Sequence, residues 1–378
     1  MLYVDHAATS PLRPEAREAM APFLAEAFGN PSGAHGIARR AKNALEEARE
    51  SAAGLLGAAH PLEVVFTGGG TEADNLALAG AALAGGRRGG VVISAVEHPA
   101  VLETAAFLGG LGCPVTVAGV DARGVVGPAG VAGLIDHGTA VVSVMTANNE
   151  TGTRQPVAGV AAAVRAAHPG TLVHSDAVQS FVSEEVRVDR LGVDLLTLAA
   201  HKFGGPKGVG LLWVRSGVSL EPVLHGGGQE AGRRSGTHNV AGIVGMVAAM
   251  ETAAADRERF RRDVGEARRR FEGALAAAVP GLEVNGARED RLVQHSHLRF
   301  PGVRAEDLLL LLDRAGLAAA AGSACHSGAT AASHVLLAMG MSPAEAAECL
   351  RFTFGWTTRP DDGDGAAGLV VEALGPRL

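Results

Sequence analysis

Cysteine, lysine and the large aromatics are scarce in this chain, and each scarcity narrows what it can do. The three cysteines (Cys113, Cys325, Cys349) are an odd number at irregular spacing among 378 residues. They form no disulfide framework, and no Cys-x-x-Cys pair is present to bind zinc or exchange disulfides. One Tyr, two Trp and a net charge of −7 argue against a nucleic-acid surface, which needs a basic footprint and stacking rings. The arginines at 268–270 stand among acidic residues on a helical pattern and read as a solvated face. The longest apolar run, 240–250, falls short of the roughly 20 residues that span a bilayer. Near the N-terminus, Asp5 and His6 interrupt what would be the apolar stretch of a signal peptide. A cytoplasmic protein with no membrane partner is expected. His295-x-His297 lacks a third ligand at suitable spacing, so no metal is expected there. Of 33 basic residues only Lys42, Lys202 and Lys207 are lysines, so chemistry that needs an amine has few places to go.

What is abundant is small and apolar. Hydrophobic residues make up 47% of the chain, many of them alanine, and the length exceeds what one growing core accommodates, which predicts two domains. Between 63 and 214, short apolar runs at 63–66, 91–94, 114–118, 140–146, 171–174, 193–198 and 209–214 alternate with alanine-rich helical patterns. That alternation predicts an α/β fold, a mostly parallel sheet covered by helices on both faces. Ligands gather at the carboxyl ends of such strands. After about residue 255 the texture turns charged, with Phe260, Val264, Ala267, Phe271 and Leu275 at helical spacing. The expected division is a large domain over 16–254 and a smaller α+β domain from 1–15 and 255–378. Within the latter, 318–333 is rich in Gly, Ala and Ser and reads as a mobile loop.

Four segments carry chemistry. Phe66-Thr67-Gly68-Gly69-Gly70-Thr71-Glu72 runs a strand through three glycines into a helix. Free N–H groups and a positive dipole end there suit an anion, although a strand–helix turn capped by Thr71 fits equally. It is neither a P-loop nor a dinucleotide fingerprint. His174-Ser175-Asp176-Ala177-Val178-Gln179 puts an acid at a strand's carboxyl end, where it pairs with a cationic ligand group or caps a helix. In Leu198-Ala199-Ala200-His201-Lys202-Phe203-Gly204-Gly205, Lys202 follows an apolar strand and precedes a glycine turn, a setting that favours a neutral amine for Schiff-base chemistry. Lys42 lies on a charged surface pattern, and Lys207 is the rival. Cys325 sits in Gly322-Ser323-Ala324-Cys325-His326-Ser327-Gly328, where exposure and a neighbouring His326 suit a reactive thiolate. Cys113 begins an apolar strand and Cys349 falls in a helical pattern beside Leu350; both read as structural.

Taken together these motifs resemble the cysteine desulfurases of the NifS/IscS type, within the class V aminotransferase fold. The likeness runs through Tyr3-Val4-Asp5-His6-Ala7-Ala8-Thr9, Phe28-Gly29-Asn30-Pro31-Ser32, the glycine turn, Glu97-His98, Asn148-Asn149-Glu150-x-Gly152, Asp176-x-x-Gln179, His201-Lys202, Arg234-Ser235-Gly236-Thr237, Gly322-Ser323-Ala324-Cys325 and Arg351-Phe352. It implies a pyridoxal 5'-phosphate (PLP) enzyme of fold type I that removes sulfur from L-cysteine, giving L-alanine and a persulfide on Cys325. By the same likeness Lys202 carries the cofactor and moves the Cα proton, and His98 stacks on the ring. Asp176 pairs with the pyridinium nitrogen, Gln179 contacts the phenolic oxygen, and Asn149 lies against the cofactor. Gly70, Thr71 and His201 hold the phosphate, with Thr237 reaching it from the other subunit of a homodimer. Arg351, helped by Asn30, binds the substrate carboxylate. The long stretch between Cys325 and His334 matches the group I enzymes. A sulfur-acceptor protein such as an iron–sulfur scaffold is the implied partner, with tRNA thiolation another destination. A selenocysteine lyase or related class V lyase uses the same machinery. Two positions depart from the pattern: Ala199 replaces a hydroxyl residue that many relatives place against the phosphate, and Gly68 replaces a common serine.

Overall fold

The computed structural model describes residues 1–322 and 332–375; Cys325 lies outside the described residues. Twelve strands are present among them: β1 (Leu2–Tyr3), β2 (Val64–Thr67), β3 (Gly90–Ser94), β4 (Val115–Ala118), β5 (Thr139–Ser143), β6 (Leu172–Asp176), β7 (Leu195–Ala199), β8 (Gly210–Val214), β9 (Glu283–Val284), β10 (His295–Arg299), β11 (Leu317–Ala318) and β12 (Cys349–Thr353). Seven form one sheet in the order β2-β8-β7-β6-β5-β3-β4. Only β8 runs against its neighbours, β7 and β2; the remaining pairs are parallel.

Side chains alternate across the sheet because successive Cβ atoms point to opposite faces. Val91, Ile93, Val141 and Leu195 join one buried cluster with the helices Gly70–Ala82 and Pro99–Gly110. Val92, Val142 and Leu196 join the other, with the helices Gly36–Leu56, Val157–Ala167 and Val240–Ala255. The strands therefore read as unbroken apolar runs. The exception is β4, an edge strand, which exposes Val115 and Val117. The apolar stretch in Val240–Ala255 is buried between the helices Pro14–Leu24 and Gly36–Leu56. No helix among the described residues is long and apolar enough to cross a membrane.

The second body of structure is a three-stranded antiparallel sheet, β12-β10-β9, backed by the long helix Arg257–Ala278. Phe271 from that helix meets Phe352 and Phe354 with ring centroids 4.8 and 5.6 Å apart. Strand β1 pairs with β11 in parallel, Leu2 opposite Leu317, so the chain's first residues belong with its C-terminal part. One expectation fails here: Cys349 opens strand β12 rather than lying in a helix. The strand's five residues, Cys349-Leu350-Arg351-Phe352-Thr353, are all buried and paired against β10 although Arg351 and Thr353 are polar, and so short a segment shows no periodicity that distinguishes helix from strand.

Candidate active site

The seven-stranded sheet delivers its loops to one place. A cavity of about 370 Å³ opens at the carboxyl ends of its parallel strands, lined among others by Gly70, Thr71, Asp74, His98, Asn149, Asp176, Gln179, His201, Lys202 and Arg351. Lys202 ends a short turn, Ala200–Lys202, directly after β7. Its Nζ donates to the carbonyl oxygens of Ala7 (2.6 Å) and Ala8 (2.8 Å). The rival, Lys207, lies in a separate opening beside the glycine turn.

Asp176 is the last residue of β6. Its Oδ1 accepts from the Val178 N–H at 2.8 Å in a tight turn, so it caps no helix. Burial pushes its carboxyl up to about 6, opposed by that N–H and by Lys202. Such a carboxylate is stabilised by any cation delivered to it. His98 stands at the N-cap of the helix Pro99–Gly110, where Nδ1 accepts from the Ala100 N–H at 3.1 Å. Burial, aided by Lys202 and His334, lowers it to about 4. The ring is thus neutral, with its proton on Nε2. His201 is likewise lowered to about 4 by burial, and its Nδ1 lies 3.1 Å from Thr9 Oγ1. Gln179 Nε2 donates to the Ala7 carbonyl at 3.1 Å.

The helix Gly70–Ala82 begins after Gly69, and no side chain caps it. Thr71 is therefore not its cap, and the N–H groups of the first turn are left for an anion. A Cβ on Gly70 would come within 3.2 Å of the Ala199 Cβ; the small residue at 199 packs against the helix start. Gly68 also has a local cause. Its N–H donates to Glu72 Oε2 at 2.8 Å, and a Cβ there would stand 2.6 Å from that oxygen. Glu72 is held in turn by Arg234 at 2.7 Å.

Arg351 rises from β12 and is 3% exposed. Nη2 donates to Asp5 Oδ1 at 2.8 Å and Nη1 to the Asn149 carbonyl at 3.1 Å, while Nε makes no hydrogen bond. Asp5, which the sequence placed in a motif without a role, thus holds the guanidinium. Asp74 was also unassigned; its spacing of four from Gly70 would have put it on the same face of the helix. Asn30 and Thr237 do not line the cavity. Asn30 is exposed and caps its own turn by accepting from the Ser32 N–H, and Thr237 is exposed beside the Glu230 turn. Gly322, the last described residue before Cys325, does line the cavity. Cys113 and Cys349 are buried, and burial pushes the Cys349 thiol up to about 12. Among the described residues no three His, Cys, Asp or Glu side chains gather to hold a metal ion.

The donor set fits PLP in its chemistry. A buried carboxylate at one end suits a pyridinium, an uncapped helix start with His201 suits a phosphate, and a lysine amine and a flat imidazole stand between them.

The chain matches the Aminotransferase class-V family over residues 2–363. It is 42% identical over 362 residues to the cysteine desulfurase IscS of Dictyoglomus turgidum, covering 96% of this chain and 91% of that one. To the cysteine desulfurase NifS of Azotobacter vinelandii it is 39% identical over 363 residues, covering 96% and 90%. A solved structure titled NifS-like protein superposes with a TM-score of 0.92 at 36% identity, covering 99% of each chain. The chain belongs to the class-V aminotransferase family.

Proposed function

We propose that this chain is a PLP-dependent cysteine desulfurase that releases L-alanine from L-cysteine and leaves the sulfur as a persulfide on Cys325. The observation that carries the reading is the convergence of Lys202, Asp176, His98 and Arg351 on one cavity at the ends of parallel strands. The named relatives support it. Lys202 would hold the cofactor covalently, Asp176 its ring nitrogen, His98 its ring face, Gln179 its phenolic oxygen, and Gly70, Thr71 and His201 its phosphate. When bound, the cofactor supplies an electron sink that weakens the bonds at the substrate's Cα and Cβ.

The protein's own residues do the rest. Arg351 recognises the substrate carboxylate, whose oxygens replace the contacts now made by Asp5 and the Asn149 carbonyl. Once the incoming amine frees Lys202, its Nζ holds the Cα proton, with the Ala7 and Ala8 carbonyls steadying its ammonium form. The Cys325 thiolate attacks the substrate sulfur; an S–S bond forms, the C–S bond breaks, and its electron pair stays with the carbon that becomes alanine. Buried Cys113 and Cys349 have no access to that step. The remainder of the reading has residues 16–254 as the cofactor-binding domain and 1–15 with 255–378 as the smaller one. It also has a cytoplasmic homodimer, Thr237 reaching the phosphate across subunits, Asn30 helping Arg351 at the substrate carboxylate, and a sulfur-acceptor protein as partner.

The direct test is colour. Protein reconstituted with PLP should absorb in the near-ultraviolet to visible range, and the band should vanish in Lys202→Ala; a colourless reconstituted wild type would overturn the assignment.

A further inference from the structure

The cavity floor holds two carboxylates where the proposed chemistry uses one. Asp176 arrives from the end of β6, and Asp74 from the first turns of the helix Gly70–Ala82; both line the cavity. Asp74 is 1% exposed, and its Oδ1 makes no hydrogen bond among the described residues. His174 Nε2 lies 3.6 Å from that oxygen, but the ring is already engaged, Nε2 with Thr197 Oγ1 at 3.0 Å and Nδ1 with Ser143 Oγ at 2.9 Å. Burial holds His174 down to about 3, so it offers no positive charge.

Burying two carboxylates against one cavity opposes the ionisation of both. The geometry decides which one keeps the proton. Asp176 has the Val178 N–H at 2.8 Å and Lys202 to favour its anion. Among the described residues nothing donates to Asp74 Oδ1; burial first, then Asp176 and Glu97, push its carboxyl well up, opposed only by the Thr197 hydroxyl. Glu97 is itself buried behind Ser143.

We propose that Asp74 is held as a neutral carboxylic acid and acts as a positioning residue, leaving Asp176 the single anion that faces the cofactor's ring nitrogen. This rests on the reading of Asp176 given above. Asp74 Oδ1 lies 3.6 Å from His174 Nε2, the nitrogen that Thr197 Oγ1 engages, and His174 stands two residues before Asp176 on β6.

The test is infrared spectroscopy of protein labelled with carboxyl-13C aspartate, with PLP bound and after its removal, at mildly alkaline pH. The isotope keeps Glu97 out of the signal. A band from a protonated aspartic acid is expected in both forms, absent in Asp74→Asn and retained in Asp176→Asn. No such band in the wild type, or one that survives in Asp74→Asn, overturns the proposal. Because the cofactor-free protein answers this, failure of the PLP reading remains separable from failure of the Asp74 assignment. PLP affinity tests the positioning role: Asp74→Asn should bind within about threefold of wild type, and Asp74→Ala, which removes the group beside His174 Nε2, about tenfold more weakly. Equal behaviour of the two variants overturns that role.

Discussion

The residues that follow strands of the large sheet and the residues that do not are positioned in different ways. His98, Asp176, His201 and Lys202 sit within a few residues of β3, β6 and β7, and the sheet's hydrogen-bonded register carries them to one cavity in a single chain. Asn30 and Thr237 stand outside it, exposed. The difference teaches that strand ends can preorganise a site alone, whereas nothing in a single chain brings the exposed loop residues Asn30 and Thr237 to it.

The comparison breaks at its strongest point if the strand-end residues are dispensable. Lys202→Ala should lower alanine release from L-cysteine roughly 10³-fold or more, since it removes both the tether and the proton carrier; single-turnover alanine measurement checks this. Cys325→Ser separates binding from transfer. It should still change the cofactor spectrum on adding cysteine, yet release almost no sulfide under reducing conditions. Sulfide at the wild-type rate would remove Cys325 from the chemistry.

A smaller effect is expected from Arg351→Ala, which should raise KM for cysteine roughly 10–100-fold with a lesser change in kcat, the loss of a charged two-point contact. An unchanged KM would count against its carboxylate role. Thr237→Ala, on the exposed side of the comparison, should weaken PLP binding by no more than about tenfold, and more so on dilution as the dimer dissociates. Affinity independent of both the substitution and the dilution would deny it a cross-subunit role.

How much of this was legible in the sequence follows the same division. The strand–helix alternation located all seven strands of the large sheet: most are buried on both faces and largely apolar, exposed β4 is rich in valine, and β6 opens with Leu172-Val173 before its polar end. Lys202 and Asp176 stood out as polar residues at the ends of those runs. The pairing of β1 with β11 left no such mark, since two residues per strand carry no pattern. The strand at Cys349 is hidden because its segment is five residues long and its polar Arg351 and Thr353 are buried with the rest. Asp5 and Asp74 carry no mark in the sequence for another reason: their surroundings are set by Arg351 and His174, which lie far from them along the chain. The departures at Gly68 and Ala199 became explicable only through contacts with Glu72 and Gly70.

The smallest expected effect is on stability against pH. Burial lowers His6, His98, His174, His201, His295 and His297, so the unfolded chain takes up protons that the folded chain refuses as pH falls below about 6.5. Stability should drop across that range. Glu97 works in the other direction. Burial raises it to about 8, so the unfolded chain loses a proton that the folded chain keeps between 4.5 and about 8. That contribution is lost as pH rises through the folded value. Buried Asp74 and Asp176 act in the same direction, so the cofactor-free protein should have its highest Tm near neutrality, and Glu97→Gln should make the alkaline limb shallower without abolishing it while leaving the acid limb in place. A wild-type Tm that climbs steadily from pH 7 to 9 would contradict this (about two units of pH, all above the histidine range).

The most direct measurement of the central claim is intact-protein and peptide mass spectrometry after one turnover with L-cysteine and no reductant. The account predicts one added sulfur atom on the Cys325 peptide, none on those of Cys113 and Cys349, and one L-alanine released per sulfur bound. Alanine formed without sulfur on Cys325 would contradict it.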